Sequence, residues 1–157
     1  MYSRILLPVD GSNPSQLALN EAIRLAGSLS SAIRLVHVID VWSLVTSEAT
    51  GAVYDTLFAI ARREGETLLR DCAHKVQSAG IPVDTVLVDQ PDAQVGECVV
   101  HRARDYHAEL IICGTHGRRG LRRLLVGSDA EYVVRHSPVP VLLVRGAEAV
   151  RPVETPA

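Results

Sequence analysis

Small and basic residues are concentrated between Gly114 and Ser128, where their types and spacing suit phosphate binding. Gly114 and Gly117 let the backbone approach a ligand closely and permit positive φ. Gly127-Ser128 precedes a helical pattern, and the free N–H groups and dipole of a helix start favour an anion. Four arginines and no acidic residue lie within this stretch. A polyphosphate could therefore be neutralised there without any lysine.

Asp10 is a second candidate, because it directly follows an apolar run near the N-terminus, in the sequence P-V-D-G-S. In an open parallel sheet, a ligand binds beyond the carboxyl ends of the strands. Gly114 also follows a strand-like run, so Asp10 and Gly114 would face the same crevice if their strands are neighbours. A structural interpretation stays open, since D-G-S is also common in a turn that starts a helix.

Other residues of these motifs have structural interpretations as well. Ser128 and Glu131 match the S-x-x-E capping box of a helix start. The arginines would ordinarily form a solvated face, but the surrounding glycines favour at least one of them, Arg118, facing phosphate. His116 could be a metal ligand or a base, although a single histidine in a glycine turn is more often only positioned there. His37 lies within an apolar strand and is expected to be a core residue with its hydrogen bonds satisfied.

The elements that must position these residues alternate along the chain as β-α-β-α-β-α-β-α-β. This alternation predicts a parallel sheet with helices on both faces. The run Val83–Val88 partly alternates apolar and polar residues, which is typical of an edge strand. Asn13 is the predicted N-cap of the first helix. The predicted strands are Arg4–Val9, Ile33–Ile39, Val83–Val88, Glu109–Cys113 and Val139–Val144, and the predicted helices are Pro14–Ser30, Ala52–Ala79, Ala93–His107 and Ser128–His136.

Length and composition narrow the function classes. The 157 residues suit one domain, and the net charge of −2 argues against coating nucleic acid or an anionic membrane. No segment approaches the ~18 apolar residues of a spanning helix. The single lysine, Lys75, has no glycine nearby, which excludes a Walker A loop. Three widely spaced cysteines suggest neither a disulfide framework nor a zinc knuckle. We expect a cytoplasmic protein.

The complete spacing G-x2-G-x9-G-S, formed by Gly114, Gly117, Gly127 and Ser128, resembles the nucleotide-binding signature of the ATP-binding branch of the universal stress proteins. The first, second and fifth strand segments are also similar to that family, so the resemblance covers about residues 2–145. The segment Asp40–Ala61 does not match closely.

The resemblance implies a flavodoxin-like, Rossmann-like α/β fold with strand order 3-2-1-4-5 and a nucleotide-binding domain at residues 1–146. Residues 147–157 lack periodicity and are expected to form a flexible tail. The resemblance implies ATP across the carboxyl ends of strands one, two and four, with Mg²⁺ or Mn²⁺ on the phosphates. Asp10 and the Val38 backbone would hold the adenosine end, Pro8 and Gly114 would lie near the ribose, and the remaining signature residues would take the phosphates. The full candidate set is Pro8, Val9, Asp10, Val38, Gly114, His116, Gly117, Arg118, Gly127, Ser128 and Asp129.

The resemblance also implies a homodimer that pairs through the fifth strand, Val139–Arg145. The sequence contains no Ser-His-Asp arrangement and no paired acids near the glycines, which favours a nucleotide-dependent regulatory module in the stress response with at most slow ATP hydrolysis. Its protein partner is not indicated. Two alternatives stay open: an interaction protein that binds no nucleotide, and an adenylyl-transferring enzyme, whose S-G-G-x-D-S and H-I-G-H motifs are missing here.

Overall fold

The computed structural model of the chain describes residues 2–40, 51–90, 94–115 and 126–145. The described elements follow the alternating order that the sequence predicts. All of their bounds agree with the prediction within two residues. The elements are β1 (Arg4–Pro8), α1 (Asn13–Leu29), β2 (Ala32–Val38), α2 (Gly51–Ser78), β3 (Val83–Val88), α3 (Val95–Asp105), β4 (Leu110–Gly114), α4 (Ser128–His136) and β5 (Val141–Val144).

All five strands are parallel and lie in the order β3-β2-β1-β4-β5. The flavodoxin-like order and the edge position of β3 are therefore confirmed. β1 pairs directly with β4, with Ile5 opposite Leu110 and Leu6 opposite Ile111. The strands that lead to Asp10 and Gly114 are therefore neighbours, as a shared crevice requires. The segments that follow β1 and β4 lie side by side at the end of the sheet where the parallel strands terminate, which is named the carboxyl edge.

The apolar side chains of the strands divide between two core clusters, one on each face of the sheet. Ile5 and Leu7 of β1 belong to the cluster that contains residues of α1 and α2. Leu6 belongs to the other cluster, with residues of α3 and α4. Successive side chains of a strand point to opposite faces, so the continuous apolar run of β1 serves both clusters. Helices cover both faces, as the alternation of elements predicts.

The start of α1 differs from its prediction by one residue. Ser12 is the N-cap, with extended backbone angles, and its Oγ accepts a hydrogen bond from the Ser15 N–H at 3.3 Å. Asn13, the predicted N-cap, is already helical. Serine and asparagine are comparable caps, so their residue types alone do not separate the two positions. The choice follows from Gly11, whose φ of 80° turns the chain just before Ser12.

No helix within the described parts of the chain is both long enough and apolar enough to cross a membrane.

Candidate functional site

The two ends of the glycine signature meet at the carboxyl edge of the sheet. The Gly127 N–H donates to the Thr115 carbonyl oxygen at 2.8 Å, and the Thr115 N–H donates to the Val144 carbonyl oxygen at 3.0 Å. The end of β4 is thus joined to the start of α4 and to the end of β5. Three members of the candidate set, His116, Gly117 and Arg118, lie outside the described residues.

Gly114, the last residue of β4, lacks a side chain because α1 leaves no room for one. A Cβ atom there would lie 2.8 Å from the Pro14 carbonyl carbon and 2.9 Å from the Pro14 Cβ. Positive φ is not what this glycine provides, since Gly11 and Gly80 are the described glycines that adopt it. The first glycine of the signature therefore has a packing role that its spacing alone does not reveal.

The start of α4 presents backbone N–H groups toward the same edge. Gly127 is its N-cap, in extended conformation, and the first hydrogen bond within the helix runs from the Glu131 N–H to the Gly127 carbonyl oxygen at 2.8 Å. The N–H groups of Ser128, Asp129 and Ala130 consequently have no acceptor within the helix. Together with the helix dipole, they form a site suited to an anion.

The capping box of Ser128 and Glu131 is not formed, and that interpretation is wrong. Ser128 is the first helical residue rather than the N-cap, and no side chain caps this helix. Glu131 instead pairs with Arg135 one turn later, at 2.8 Å between carboxylate and guanidinium. The exposed Ser128 hydroxyl is therefore not used as the cap that the sequence pattern suggested.

The side chain of Asp129 joins two helices. Its Oδ1 accepts a hydrogen bond from the Gly96 N–H in the first turn of α3, at 3.2 Å. A Cβ at Gly96 would lie 2.9 Å from the Tyr132 Cβ and 3.0 Å from the Asp129 carbonyl oxygen, so α3 and α4 are in close contact here. The carboxylate of Asp129 is thus engaged by α3, whereas its backbone N–H is one of those without an acceptor within the helix.

Asp10 follows β1 and begins the turn into α1. Its Oδ1 accepts a hydrogen bond from the Ser12 N–H at 2.9 Å, and its own N–H donates to the Ser15 Oγ at 3.2 Å. The interpretation of D-G-S as a turn feeding a helix is therefore confirmed. The same turn leaves Asp10 half-buried at the carboxyl edge, next to the end of β4, so a structural role and a ligand-binding role are compatible.

The remaining described candidates are Pro8, Val9 and Val38, which lie at the ends of β1 and β2. Val9 and Val38 are buried, with exposures of 3% and 7%, and Pro8 is half-buried. The Val9 N–H donates to the Val36 carbonyl oxygen at 2.8 Å. The Val9 carbonyl oxygen lies 2.7 Å from Nδ1 of the buried His37. The expectation that His37 is a core residue with a hydrogen-bond partner is confirmed.

Sequence reasoning missed the parts played by Ser15, Thr115 and Gly96. Ser15 and Thr115 are buried polar residues at this edge, with exposures of 5% and 6%. Serine and threonine are common in loops and at helix starts, so the sequence does not single out these two residues. Only their burial in the structure identifies them as part of this edge. Gly96 in a helical pattern was the available signal, because a glycine inside a helix costs about 1 kcal/mol relative to alanine and commonly has a packing reason.

Comparison with known proteins places the chain among relatives of similar length. A model of the Universal stress protein family matches residues 1–145. Universal stress protein MJ0531 of Methanocaldococcus jannaschii is 30% identical over 145 residues, which cover 92% of this chain and 83% of that protein. The match therefore extends over β1 to β5 and includes both ends of the glycine signature.

Solved structures show the same fold. The hypothetical protein MJ0577 superposes with a TM-score of 0.80 at 26% identity, covering 95% of this chain and 99% of that one. A universal stress protein of Archaeoglobus fulgidus in complex with dAMP has a TM-score of 0.64 at 18% identity, covering 91% and 98%. Further structures of this fold contain cAMP or AMP.

Proposed function

This chain belongs to the universal stress protein family, and on that premise we propose that it binds an adenine nucleotide, ATP, as a regulatory module of the stress response. The observation that carries the proposal is the hydrogen bond between Thr115 and Gly127, which joins the two ends of the signature at the start of α4. Proteins of the same fold that hold AMP, dAMP or cAMP support an adenine nucleotide as the ligand class.

In this proposal the adenosine lies over the ends of β1 and β2. Asp10 and the Val38 backbone hold the base and sugar end, and Pro8, Val9 and Gly114 form the floor near the ribose. The burial of the Val38 side chain supports a contact through its backbone, whereas the N–H and the carbonyl oxygen of Val9 are bonded to Val36 and His37. The half-buried Asp10 carboxylate is the polar side chain that this end of the crevice offers.

The phosphates lie at the other end, against the start of α4. The N–H groups of Ser128 and Asp129 and the helix dipole attract them, and Gly117, Gly127 and Arg118 complete this part of the site. His116 lies beside Gly117 in sequence and is kept as a neighbouring residue without a chemical role.

The Mg²⁺ or Mn²⁺ ion of the proposal is held mainly by the phosphates. Within the described ranges, no group of three His, Cys, Asp or Glu side chains could hold a metal ion. A phosphate-bound divalent cation fits this donor set, because Mg²⁺ usually keeps several waters and binds through one or two carboxylates plus substrate phosphates. The ion would neutralise phosphate charge alongside the helix dipole.

A regulatory role fits the site better than rapid hydrolysis. The carboxylates of Asp10 and Asp129 both accept hydrogen bonds from backbone N–H groups, of Ser12 and Gly96. Each carboxylate thus has a structural partner in the fold, and slow hydrolysis is the most that we propose. In this scheme nucleotide binding is communicated to a protein partner in the cytoplasm.

The proposal includes a homodimer through Val139–Arg145. β5 is an edge strand of the described sheet, and its four residues are only half-buried. A free strand edge presents unpaired N–H and C=O groups that pairing with a second copy would satisfy. Light scattering in solution tests this, and a monomer at the concentrations used for ligand binding would contradict it.

Calorimetry tests whether the protein binds an adenine nucleotide. The protein is unfolded in denaturant to remove small molecules, refolded, and titrated with ATP, AMP and Mg-ATP. We expect heat and saturation with at least one of them. The absence of binding to all three would contradict the proposal and leave an interaction protein that binds no nucleotide as the better alternative.

A pair of glycine variants tests the phosphate end. Gly117→Val should abolish or strongly weaken ATP binding, because the added side chain blocks the approach of the phosphates. Gly27→Val is the matched control, since Gly27 lies exposed in α1 with no atom within 4 Å of an added Cβ. Equal affinities of the two variants would exclude the proposed phosphate contact.

The rate of phosphate release from ATP tests the proposal that hydrolysis is slow. Ordinary enzymes turn over at roughly 1–10³ per second. We expect a rate far below this range, and a rate within it would favour an enzyme over a regulatory module.

A further inference from the structure

Buried polar side chains are unevenly distributed between the carboxyl edge of the sheet and the opposite end, where the strands begin, which is named the amino edge. Four are present in the described parts of the chain, namely Ser15, Ser31, His37 and Thr115. Ser31 lies at the amino edge, where its Oγ donates to the Tyr2 carbonyl oxygen. The other three lie at the carboxyl edge, beside the proposed nucleotide. Because burying a polar group is costly unless it is hydrogen-bonded, their partners indicate what they do.

Two of these side chains bind the same peptide group. The His37 Nδ1 lies 2.7 Å from the Val9 carbonyl oxygen, and the Ser15 Oγ accepts from the Asp10 N–H at 3.2 Å. That carbonyl and that N–H belong to the single planar peptide unit between Val9 and Asp10. Rotating this unit would break both hydrogen bonds, so β2 and α1 hold it from its two sides.

The imidazole of His37 is itself held by α2. A Cβ at Gly65 would lie 2.5 Å from the His37 Cδ2 and 3.1 Å from its Nε2. Gly65 is buried in the middle of α2, where a glycine is otherwise unfavourable. The absence of a side chain at Gly65 thus provides the space that the ring occupies, and the ring position depends on the position of α2.

We propose that His37 and Ser15 are positioning residues, which orient the Val9–Asp10 peptide and through it the Asp10 side chain for nucleotide binding. This inference rests on the proposed function. His37 and Ser15 act through the backbone and not as ligands of the nucleotide. Because a carbonyl oxygen can only accept a hydrogen bond, the His37 Nδ1 must carry a proton.

Affinity measurements on His37 variants test the positioning role. His37→Leu keeps a side chain of comparable bulk but removes the donor, whereas His37→Asn retains an N–H donor near the position of Nδ1. If the peptide keeps its binding orientation for about a tenth of the time, the apparent Kd rises about tenfold. We therefore expect the Kd for ATP to rise about tenfold in His37→Leu and to stay within about threefold of wild type in His37→Asn.

Ser31→Ala is the matched control, because it removes a buried hydroxyl-to-carbonyl hydrogen bond at the opposite edge of the sheet. It should lower the free energy of unfolding in urea without changing the Kd for ATP. Circular dichroism establishes that each variant is folded under the conditions of the titration. Equal effects of Ser31→Ala and His37→Leu on the Kd would show a general loss of stability and would overturn the proposal.

Ser15→Ala provides a second route if His37→Leu does not fold. It should also raise the Kd, and the double variant should raise it by less than the product of the two single effects, because both residues hold one peptide unit. Independent, multiplicative effects would contradict a shared peptide.

Nuclear magnetic resonance of the His37 ring nitrogens gives a readout that does not depend on nucleotide. We expect a protonated Nδ1 in the free protein, and an unprotonated Nδ1 would overturn the proposal. Wild-type protein that binds no nucleotide would refute the proposed function itself. Wild-type protein that binds ATP, with unchanged affinity in His37→Leu and Ser15→Ala, would refute the positioning role alone.

Discussion

The amino edge and the carboxyl edge of the sheet differ in the balance between charged pairs and buried side chains that bind backbone groups. At the amino edge, charged pairs connect neighbouring strands: Arg4 lies 3.5 Å from Glu109, and Arg34 pairs with Asp84 while stacking 4.1 Å from the Tyr106 ring centroid. One buried side chain, that of Ser31, also binds a backbone carbonyl there. At the carboxyl edge, the buried side chains of His37 and Ser15 bind the Val9–Asp10 peptide, and one exposed ion pair, between Arg62 and Asp89, lies at the end of β3.

This difference indicates which edge requires precise geometry. An exposed ion pair contributes little to stability and its long side chains can rearrange. A buried side chain bound to a backbone group fixes that group, since breaking the bond leaves a polar atom without a partner at a cost of about 1–3 kcal/mol. The edge that carries the proposed nucleotide site is therefore the one where more backbone groups are fixed by buried side chains, since His37 and Ser15 hold two such groups there and Ser31 holds one at the amino edge.

Gly114→Val should have the largest effect on stability and binding, because it would disrupt the packing of α1 against β4 at the carboxyl edge. The added side chain would meet the backbone of Pro14, so α1 and β4 must separate. We expect a loss of about 3 kcal/mol in the free energy of unfolding, at the upper end for overpacked sites, together with loss of ATP binding. Urea denaturation and calorimetry measure the two effects. A fully stable Gly114→Val would show that the close approach of α1 is not required.

Asp10→Ala should mainly affect binding. It removes the proposed contact to the adenosine end and the acceptor of the Ser12 N–H. We expect the Kd for ATP to rise about tenfold or more, which corresponds to a loss of at least about 1.4 kcal/mol, and a smaller loss of stability. Asp10→Asn keeps an acceptor for Ser12 and should restore stability more than affinity. Equal affinity of Asp10→Ala and wild type would remove Asp10 from the site.

Asp129→Ala tests whether the Asp129 carboxylate, at the start of α4, stabilises the fold or binds the ligand. Without its carboxylate, the Gly96 N–H loses its partner, so the free energy of unfolding should fall by about 1 kcal/mol. The Kd for ATP should change by less than about threefold, because the proposal uses only the backbone N–H of Asp129. Asp129→Asn retains an acceptor and serves as the control. A large loss of affinity in Asp129→Ala alone would assign its carboxylate to the ligand or its metal ion.

Glu109→Gln at the amino edge should have the smallest effect. It removes the charge that faces Arg4 but keeps an oxygen that can accept from the Ser3 N–H. We expect a change of less than about 1 kcal/mol in stability, reduced further at high salt, and no change in the Kd for ATP. A larger effect on binding than that of Asp129→Ala would contradict the division between the two edges.

The strands and their alternation with helices were predictable, because local residue types determine them. The apolar runs identify the buried strands, and the partly polar run of β3 identifies an edge strand. The exact first and last residues of an element were less predictable where two neighbouring residues could each begin or end it. β5 begins at Val141 and not at Val139, and Pro140, which precedes it, has no N–H to donate to the ladder and contributes only its carbonyl, which accepts from the Ile111 N–H.

The candidate site was predictable only in outline. Motif spacing identified Gly114, Gly127 and Ser128, and the structure brings the end of β4 and the start of α4 together. The functions of individual side chains were not predictable where they depend on distant contacts. Asp129 binds a residue 33 positions away and His37 binds one 28 positions away. No local pattern encodes such a pairing.

By itself, the sequence determined the class of fold, the edge strand and the glycine signature, because apolar periodicity and backbone conformational preferences act over a few residues. Only the tertiary structure decided why Gly114 has no side chain, where the Asp129 carboxylate is engaged, and that His37 and Ser15 hold one peptide unit from two sides. These features arise when strands and helices distant in sequence are packed together, and a buried polar atom must then find its partner among whatever the fold brings within hydrogen-bond distance.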